Sequence, residues 1–321
     1  MTTHIIGAGM AGLLAANMLS DTDSDIIVHE QAKELPNNHG AVLRFRSSIV
    51  ADVTNIPFKR VNMIKSYVPW RNPIADTMAY SAKVTGTHRS DRSLPLEVYS
   101  EERHIAPPDF IDQLYRRALA RGVQFKFEVK VGTEEIQRCH AMQEQIISTI
   151  PMSRMKMLLG GDNRVQFEAK SLVNIRANLK WTEAYVSLYI PDPHHAATRM
   201  SITGDELIIE CPSSALSVLR EDIMEQQTAS VLQSCLEMFG FEEQHIVGES
   251  SWKQQQYGKI LPIDDKIRKS IIYELTDKFG IYSLGRFATW RPGLLLDDLV
   301  KDIRLIQGWM HSSAYDIKKA R

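Results

Sequence analysis

Residues 4–12 read His4-Ile5-Ile6-Gly7-Ala8-Gly9-Met10-Ala11-Gly12, and Leu13-Leu14-Ala15-Ala16-Asn17-Met18-Leu19 follows. The apolar triplet reads as a short buried strand and the Leu/Ala run as a helix. Each glycine between them has its own task. Gly7 permits the tight turn, Gly9 lets backbone approach a pyrophosphate, and Gly12 lets the helix pack on the strand. The free N–H groups at the helix start, Met10 and Ala11 among them, offer partial positive charge to phosphate. A second strand, Asp25-Ile26-Ile27-Val28-His29, leads into Glu30 and Gln31, with Glu30 standing 18 residues after Gly12. An acid there suits the hydroxyls of an adenosine ribose and repels a 2′-phosphate, which speaks against NADP. The motif alone does not separate FAD from NAD. The alternative is a glycine-rich turn without a ligand.

The chain has 321 residues, a net charge of -1, 44% hydrophobic and 24% charged residues. These values suit a globular protein of two domains and exclude extensive disorder. No apolar run approaches 18 residues, so no membrane span is expected. No signal peptide is expected either. Cys139, Cys211 and Cys235 are widely spaced and show neither metal spacing nor a disulfide framework, which points to a reducing cytoplasm. Charge is distributed unevenly. Residues 40–95 hold nine Lys or Arg against three Asp, and residues 205–243 hold nine acids against one Arg. A basic segment suggests an anionic small-molecule or nucleotide-linked substrate, or nucleic acid; the alternative is a solvated face paired with the acidic segment.

Beyond Glu30, residues 37–48 form a Gly- and Arg-bearing loop, and the chain then passes through a Pro-, Arg- and aromatic-rich insert. Asp109 to Gly122 reads as a helix ending on glycine. Val123 to Val131 alternates apolar and polar residues as a strand does. Gln145 to Pro151 reads as a buried strand. Strands are expected near 165–178, 183–190, 198–203, 206–210 and 256–262, with an acidic helix over about 214–239. A short strand at 280–284 opens onto Gly285-Arg286, and a helix begins near Leu294 and Leu295 with Asp297 and Asp298 at its start. His194-His195 reads as a turn, since neighbours on a strand face opposite ways and make poor joint metal ligands.

These pieces together resemble the glutathione-reductase/amine-oxidase class of flavoproteins, with UDP-galactopyranose mutase-like and compact bacteriophage flavoproteins among the closer relatives. The resemblance rests on the N-terminal motif with Glu30, the helix and strand at 109–131, Ser148-Thr149-Ile150-Pro151, and Tyr282-Ser283-Leu284-Gly285-Arg286-Phe287-Ala288-Thr289-Trp290-Arg291. The class's double-glycine-arginine motif is altered to His39-Gly40-Ala41-Val42-Leu43-Arg44. The resemblance implies an α/β fold with a Rossmann-like FAD-binding domain (1–45, 100–160, 250–321) and a β-sheet-rich substrate domain (46–99, 161–249). It implies FAD as cofactor, with Val129 or Val131 meeting the adenine by backbone and Thr149 closing the fold. Arg44, Gly285, Arg286, Leu294 and Leu295 would lie at the cofactor, the last helix aiming its N-terminus at the flavin. Lys259 would hold a water near flavin N5, with His39 and Arg44 as further catalytic candidates. Arg46, Trp290 and Arg291 would line the substrate cleft. Each has a plain alternative: an edge-strand lysine, a loop histidine, an Arg286 ion pair with Asp297 or Asp298, a core tryptophan. Amine C–N oxidation is the expected reaction. Redox-neutral mutase chemistry, modification of DNA bases and a structural FAD binder are the other readings.

Overall fold

The computed structural model describes residues 2–21, 25–35, 43–90, 94–161, 165–216 and 220–311. Two sheets organise them. The first has five parallel strands in the order Ile281–Ser283, Gln145–Ser148, Thr2–Ile6, Asp25–His29, Gln124–Lys126. Its central strands are apolar on both faces because helices cover both sides, as a parallel sheet requires. Ile5, Val28 and Ile147 face Met10–Leu19, Phe110–Ala120 and Leu296–His311 in one core. Ile6, Ile146 and Ile281 face Thr133–Ala141, Met152–Leu158 and Asp265–Phe279 in another. Leu13, Leu14, Phe110 and Leu114 are fully buried in the first core; each such side chain contributes about 1.5–3 kcal/mol of burial free energy. None of the described helices is long and apolar enough to cross a membrane.

The chain leaves this sheet twice, between residues 29 and 124 and between 148 and 281. Both excursions feed one eight-stranded sheet: Ile246–Ile260, Ala169–Leu179, Glu206–Pro212, Arg199–Gly204, Ala184–Tyr189, Lys59–Tyr67, Tyr99–Ile105, Arg44–Phe45. Every neighbouring pair is antiparallel except Lys59–Tyr67 with Ala184–Tyr189, which is parallel and joins the two excursions. Period-two alternation gives this sheet two unlike faces. Val173, Ile175, Met200, Ile202, Leu207 and Ile209 pack against the helix Glu221–Phe239. Their neighbours in sequence, among them Arg199, Ser201 and Glu210, face the other way.

Several sequence expectations are corrected here. The strand expected over 123–131 is only Gln124–Lys126. It lies at the sheet edge, and Glu128 then takes a left-handed φ of 57°. The chain is thereby redirected, with Val129 N–H donating to Glu30 O at 2.9 Å. The insert is ordered as the helices Ile49–Thr54 and Pro73–Thr85 and the strand Lys59–Tyr67. Tyr99–Ile105 and Ile246–Ile260 run in the eight-stranded sheet, although their sequence positions had placed most of them with the cofactor segments.

Candidate functional site

In the five-stranded sheet the strand order reverses at Thr2–Ile6, whose two neighbours, Asp25–His29 and Gln145–Ser148, are followed by the chain's two excursions. Parallel sheets bind ligands beyond the carboxyl ends of strands at such a point. Gly7 and Thr149 meet there. Gly7 has φ +101°, and a Cβ on it would stand 2.5 Å from Thr149 Oγ1. The Thr149 hydroxyl donates to Ile6 O at 2.8 Å, tying the two strand ends together. A Cβ on Gly12 would stand 2.0 Å from Gly7 O, so the helix Met10–Leu19 approaches the turn as closely as glycine permits. Gly9 is different. It is the helix N-cap in an extended conformation, and a Cβ there would meet no protein atom within 4 Å. Two glycines thus serve packing, and the third leaves an open face at a helix N-terminus. Met10 is buried behind it and Ala11 half-buried.

Glu30 is nearly buried at the end of the second strand. Its carboxylate accepts from Ala8 N–H at 2.8 Å and Ala32 N–H at 2.9 Å, one bond per oxygen. Each oxygen keeps a lone pair for a hydroxyl donor. Gln31 beside it is exposed. Where the adenine contact was expected, the Val129 N–H is taken by Glu30 O and Val131 is buried in the second core. Gly285, with φ +97°, closes the loop from the opposite side; a Cβ on it would lie 3.0 Å from Ala11 Cβ.

The start of the helix Leu296–His311 carries its own anions. Asp298 accepts from Leu295 N–H at 2.9 Å and from Arg46 Nη2 at 2.8 Å. Asp297 accepts from the backbone N–H groups of Arg46 and Ser47, each at 3.1 Å. Arg46 therefore clamps this helix end rather than facing a cleft, and it takes the aspartates considered for Arg286. Leu294 is buried and Leu295 exposed. Arg291 is ion-paired with Asp302. Trp290, placed in a substrate cleft from sequence, is a core side chain. It is 1% exposed, its ring packs edge-on to Phe167, and its indole N–H donates to Leu261 O at 2.9 Å. His39 lies outside the described residues.

The inner face of the eight-stranded sheet gathers charge. Register places Arg199 opposite both Glu210 and Tyr189, and Ser201 opposite Ser187. Arg199 and Glu210 form a close, part-buried ion pair. Arg44 reaches onto this face from the edge strand. Its Nη1 donates to Ser187 Oγ at 3.0 Å and to Met63 Sδ at 2.9 Å, and its Nη2 to Ser201 Oγ at 3.3 Å. Burial, reinforced by the charge of Arg199, lowers the Arg44 guanidinium to about 10, so it stays protonated at neutral pH. Burial works against the Glu210 carboxylate, but Arg199, Lys259 and Arg44 outweigh it and hold it at about 2. Arg286 lies in the field of the same carboxylate, and burial pulls its guanidinium down. Thus Arg199 contacts the Glu210 carboxylate, and the charges of Arg44, Lys259 and Arg286 act on it from further away. The neighbours Gly285 and Arg286 join the halves of the site: one touches the glycine-rich loop, the other faces the charged sheet.

The charges of Lys259, Arg44 and Arg286 all act on Glu210, whereas Trp290 is buried in the core and Arg291 and Arg46 are ion-paired. Arg199 and Glu210 escaped the sequence reading. Their signal was present as alternation: Arg199-Met200-Ser201-Ile202-Thr203 and Glu206-Leu207-Ile208-Ile209-Glu210 place charged or polar residues on one face of otherwise apolar strands. Part of the basic segment is ion-paired where it stands. Lys59 pairs with Glu183, Arg60 with Glu102 and Lys65 with Glu101, while Lys83 donates to three backbone carbonyls.

Neither a protein-family model nor a curated protein matches the chain. Solved structures do match over nearly its whole length. It is similar to a protein from Exiguobacterium sp. 255-15 proposed to be a protoporphyrinogen oxidase, with TM-score 0.62, 11% identity, and coverage of 96% of this chain and 98% of that one. An oxidoreductase from Methanosarcina mazei gives TM-score 0.57 and 10% identity, covering 96% and 100%. A flavoprotein/dehydrogenase from Cytophaga hutchinsonii gives TM-score 0.52 and 14% identity, covering 96% and 79%. At such identities the likeness is one of fold: a Rossmann-like parallel sheet with a second, larger sheet inserted into it.

Proposed function

We propose that the protein is an FAD-dependent oxidoreductase that oxidises a C–N bond of an amine by hydride transfer to flavin N5. One observation carries the cofactor reading: the open Gly9 face at the strand-order reversal, bordered by Glu30 and continuous through Gly285-Arg286 with a cationic sheet face. The residues present suit FAD. The N–H groups at the start of Met10–Leu19 would meet the pyrophosphate, and the remaining Glu30 lone pairs would accept from ribose. Arg286 has a buried Nε with no hydrogen-bond partner, so it retains a donor for phosphate or flavin. When bound, FAD supplies the two-electron acceptor that the side chains lack. In this reading the amine loses a hydride from carbon and a proton from nitrogen, leaving an imine that water hydrolyses. Dioxygen or another two-electron acceptor completes the cycle. In this reading Lys259, whose charge acts on Glu210, would hold water and move that proton.

The test is anaerobic mixing of FAD-loaded protein with a panel of amines. An amine substrate bleaches the oxidised flavin, and Lys259→Met slows the bleaching by about a hundredfold without weakening FAD binding. Absence of bleaching across the panel would remove the amine reading. The same cationic face favours a second reading, redox-neutral mutase chemistry on a nucleotide-linked sugar, which would require reduced flavin and consume no electrons. Binding to nucleic acid gains no support from the basic segment once its local ion pairs are counted.

A further inference from the structure

Arg44 is half-buried and is held in an unusual way for an arginine inside a protein. Its three hydrogen bonds go to neutral acceptors, two serine hydroxyls and a thioether, and among the described residues no carboxylate pairs with it. The intervening residues 36–42 contain no acid either. The nearby Arg199 shows the ordinary arrangement, with Glu210 as its counterion. A half-buried guanidinium with no carboxylate in contact, only the field of Glu210, keeps a desolvation cost that serine hydroxyls offset in part.

The donor count indicates what is missing. A guanidinium has five N–H groups. Two on Nη1 and one on Nη2 are used, and the two serine acceptors lie 3.1 Å apart, spanning the Nη1–Nη2 end. Among the described residues the Nε–H and the second Nη2–H have no acceptor, and they lie side by side on one edge. That edge matches the two oxygens of a planar carboxylate. A second observation points the same way: Arg199 and Arg286 each bury an Nε with no partner among the described residues, so donors in the field of Glu210 outnumber the acceptors described there.

We infer that Arg44 is a substrate-binding residue for a carboxylate group, and hence that the substrate is a small carboxylate-bearing molecule seated on the inner face of the second sheet. The word substrate rests on the flavoenzyme reading; the anion site does not. Ser187 and Ser201 are positioning residues that fix the guanidinium plane.

Benzoate and its neutral isostere benzamide test this, with inorganic phosphate as a third probe. Each is titrated into FAD-loaded protein, followed by the flavin absorption band, and into flavin-free protein, followed by calorimetry. Benzoate should bind at least about tenfold more tightly than benzamide and phosphate. Arg44→Gln should abolish that preference. Arg44→Lys should keep part of it, because a point charge replaces a fork. The comparison in the unaltered protein needs no variant, so a misfolded Arg44→Gln leaves the test intact. Equal binding of benzoate and benzamide, or no benzoate binding, would overturn the proposal; tighter phosphate binding would overturn the carboxylate assignment. Failure to load FAD with benzoate still bound in the calorimeter would remove the flavoenzyme reading and leave the anion site standing.

Discussion

Gly9→Ala and Gly12→Ala should separate cofactor binding from folding. The two positions lie three residues apart in one loop, yet their surroundings are opposite. A Cβ at Gly12 stands 2.0 Å from Gly7 O, 3.1 Å from Gly7 C and 3.4 Å from Ile5 Cγ2, a full ångström inside the 3.0 Å that real Cβ contacts respect. The obstacles are backbone atoms of a turn tied by Thr149, so relief requires moving helix from strand. Overpacking of this kind costs about 1–3 kcal/mol or more, which exceeds the roughly 1 kcal/mol gained from replacing helical glycine by alanine. At Gly9 the new Cβ meets nothing within 4 Å, and its φ of -69° suits alanine. The small gain from a stiffer unfolded chain and the small loss of a poorer N-cap nearly cancel. Thermal unfolding without flavin should therefore show Gly12→Ala strongly destabilised and Gly9→Ala close to wild type. In a fluorescence titration Gly9→Ala should lose at least about tenfold in FAD affinity, because the methyl occupies the face the pyrophosphate approaches. Wild-type FAD affinity in Gly9→Ala, or wild-type stability in Gly12→Ala, would refute this division of labour.

Other perturbations have defined outcomes. Glu210→Gln leaves the half-buried Arg199 without its counterion and should cost about 1–3 kcal/mol in a denaturant melt. Glu210 is held at about 2 against an ordinary value of 4.5, so its stabilisation is complete above 4.5 and vanishes as pH falls through 2. Between those values wild type should lose stability faster than Glu210→Gln. Lys83→Met strands the carbonyls of Ile190, Asp192 and Ala197, for an expected loss of about 1–3 kcal/mol at neutral pH. Burial lowers Lys83 to about 8 from 10.5, so the unfolded chain binds the extra proton between those values. Wild-type stability should accordingly rise relative to Lys83→Met across that window in pH-resolved melts. Trp290→Phe removes the bond to Leu261 O and part of a core side chain; a stability loss of about 1–3 kcal/mol with unchanged FAD affinity would fit its core position.

The glycine-rich turn was legible because its demands are local. Strand, turn and helix follow each other within 19 residues, and each glycine answers a steric need set by near neighbours. The acid at Glu30 was legible for the same reason, lying one crossover away. The second sheet was legible as strands but not as a site. Arg44, Ser187, Ser201, Arg199 and Glu210 come together only through the register of six strands from two chain excursions, one pair of them parallel. No spacing in the sequence encodes that register. Trp290 misled because an aromatic residue beside arginine reads equally well as a stacking platform or a core side chain, and only its burial and left-handed backbone decide. Likewise, the net charge of residues 40–95 says nothing about pairing. Their partners Glu101, Glu102 and Glu183 lie elsewhere in the chain and meet them across strands.

The central claim is that the open Gly9 face holds FAD. The most direct measurement is the visible absorption spectrum of the purified protein, followed by heat release and identification of the cofactor. The account predicts an oxidised-flavin spectrum with FAD in the supernatant, or uptake of added FAD by protein purified without it. A colourless protein that takes up no added FAD would contradict it and leave NAD as the ligand to test at the same loop.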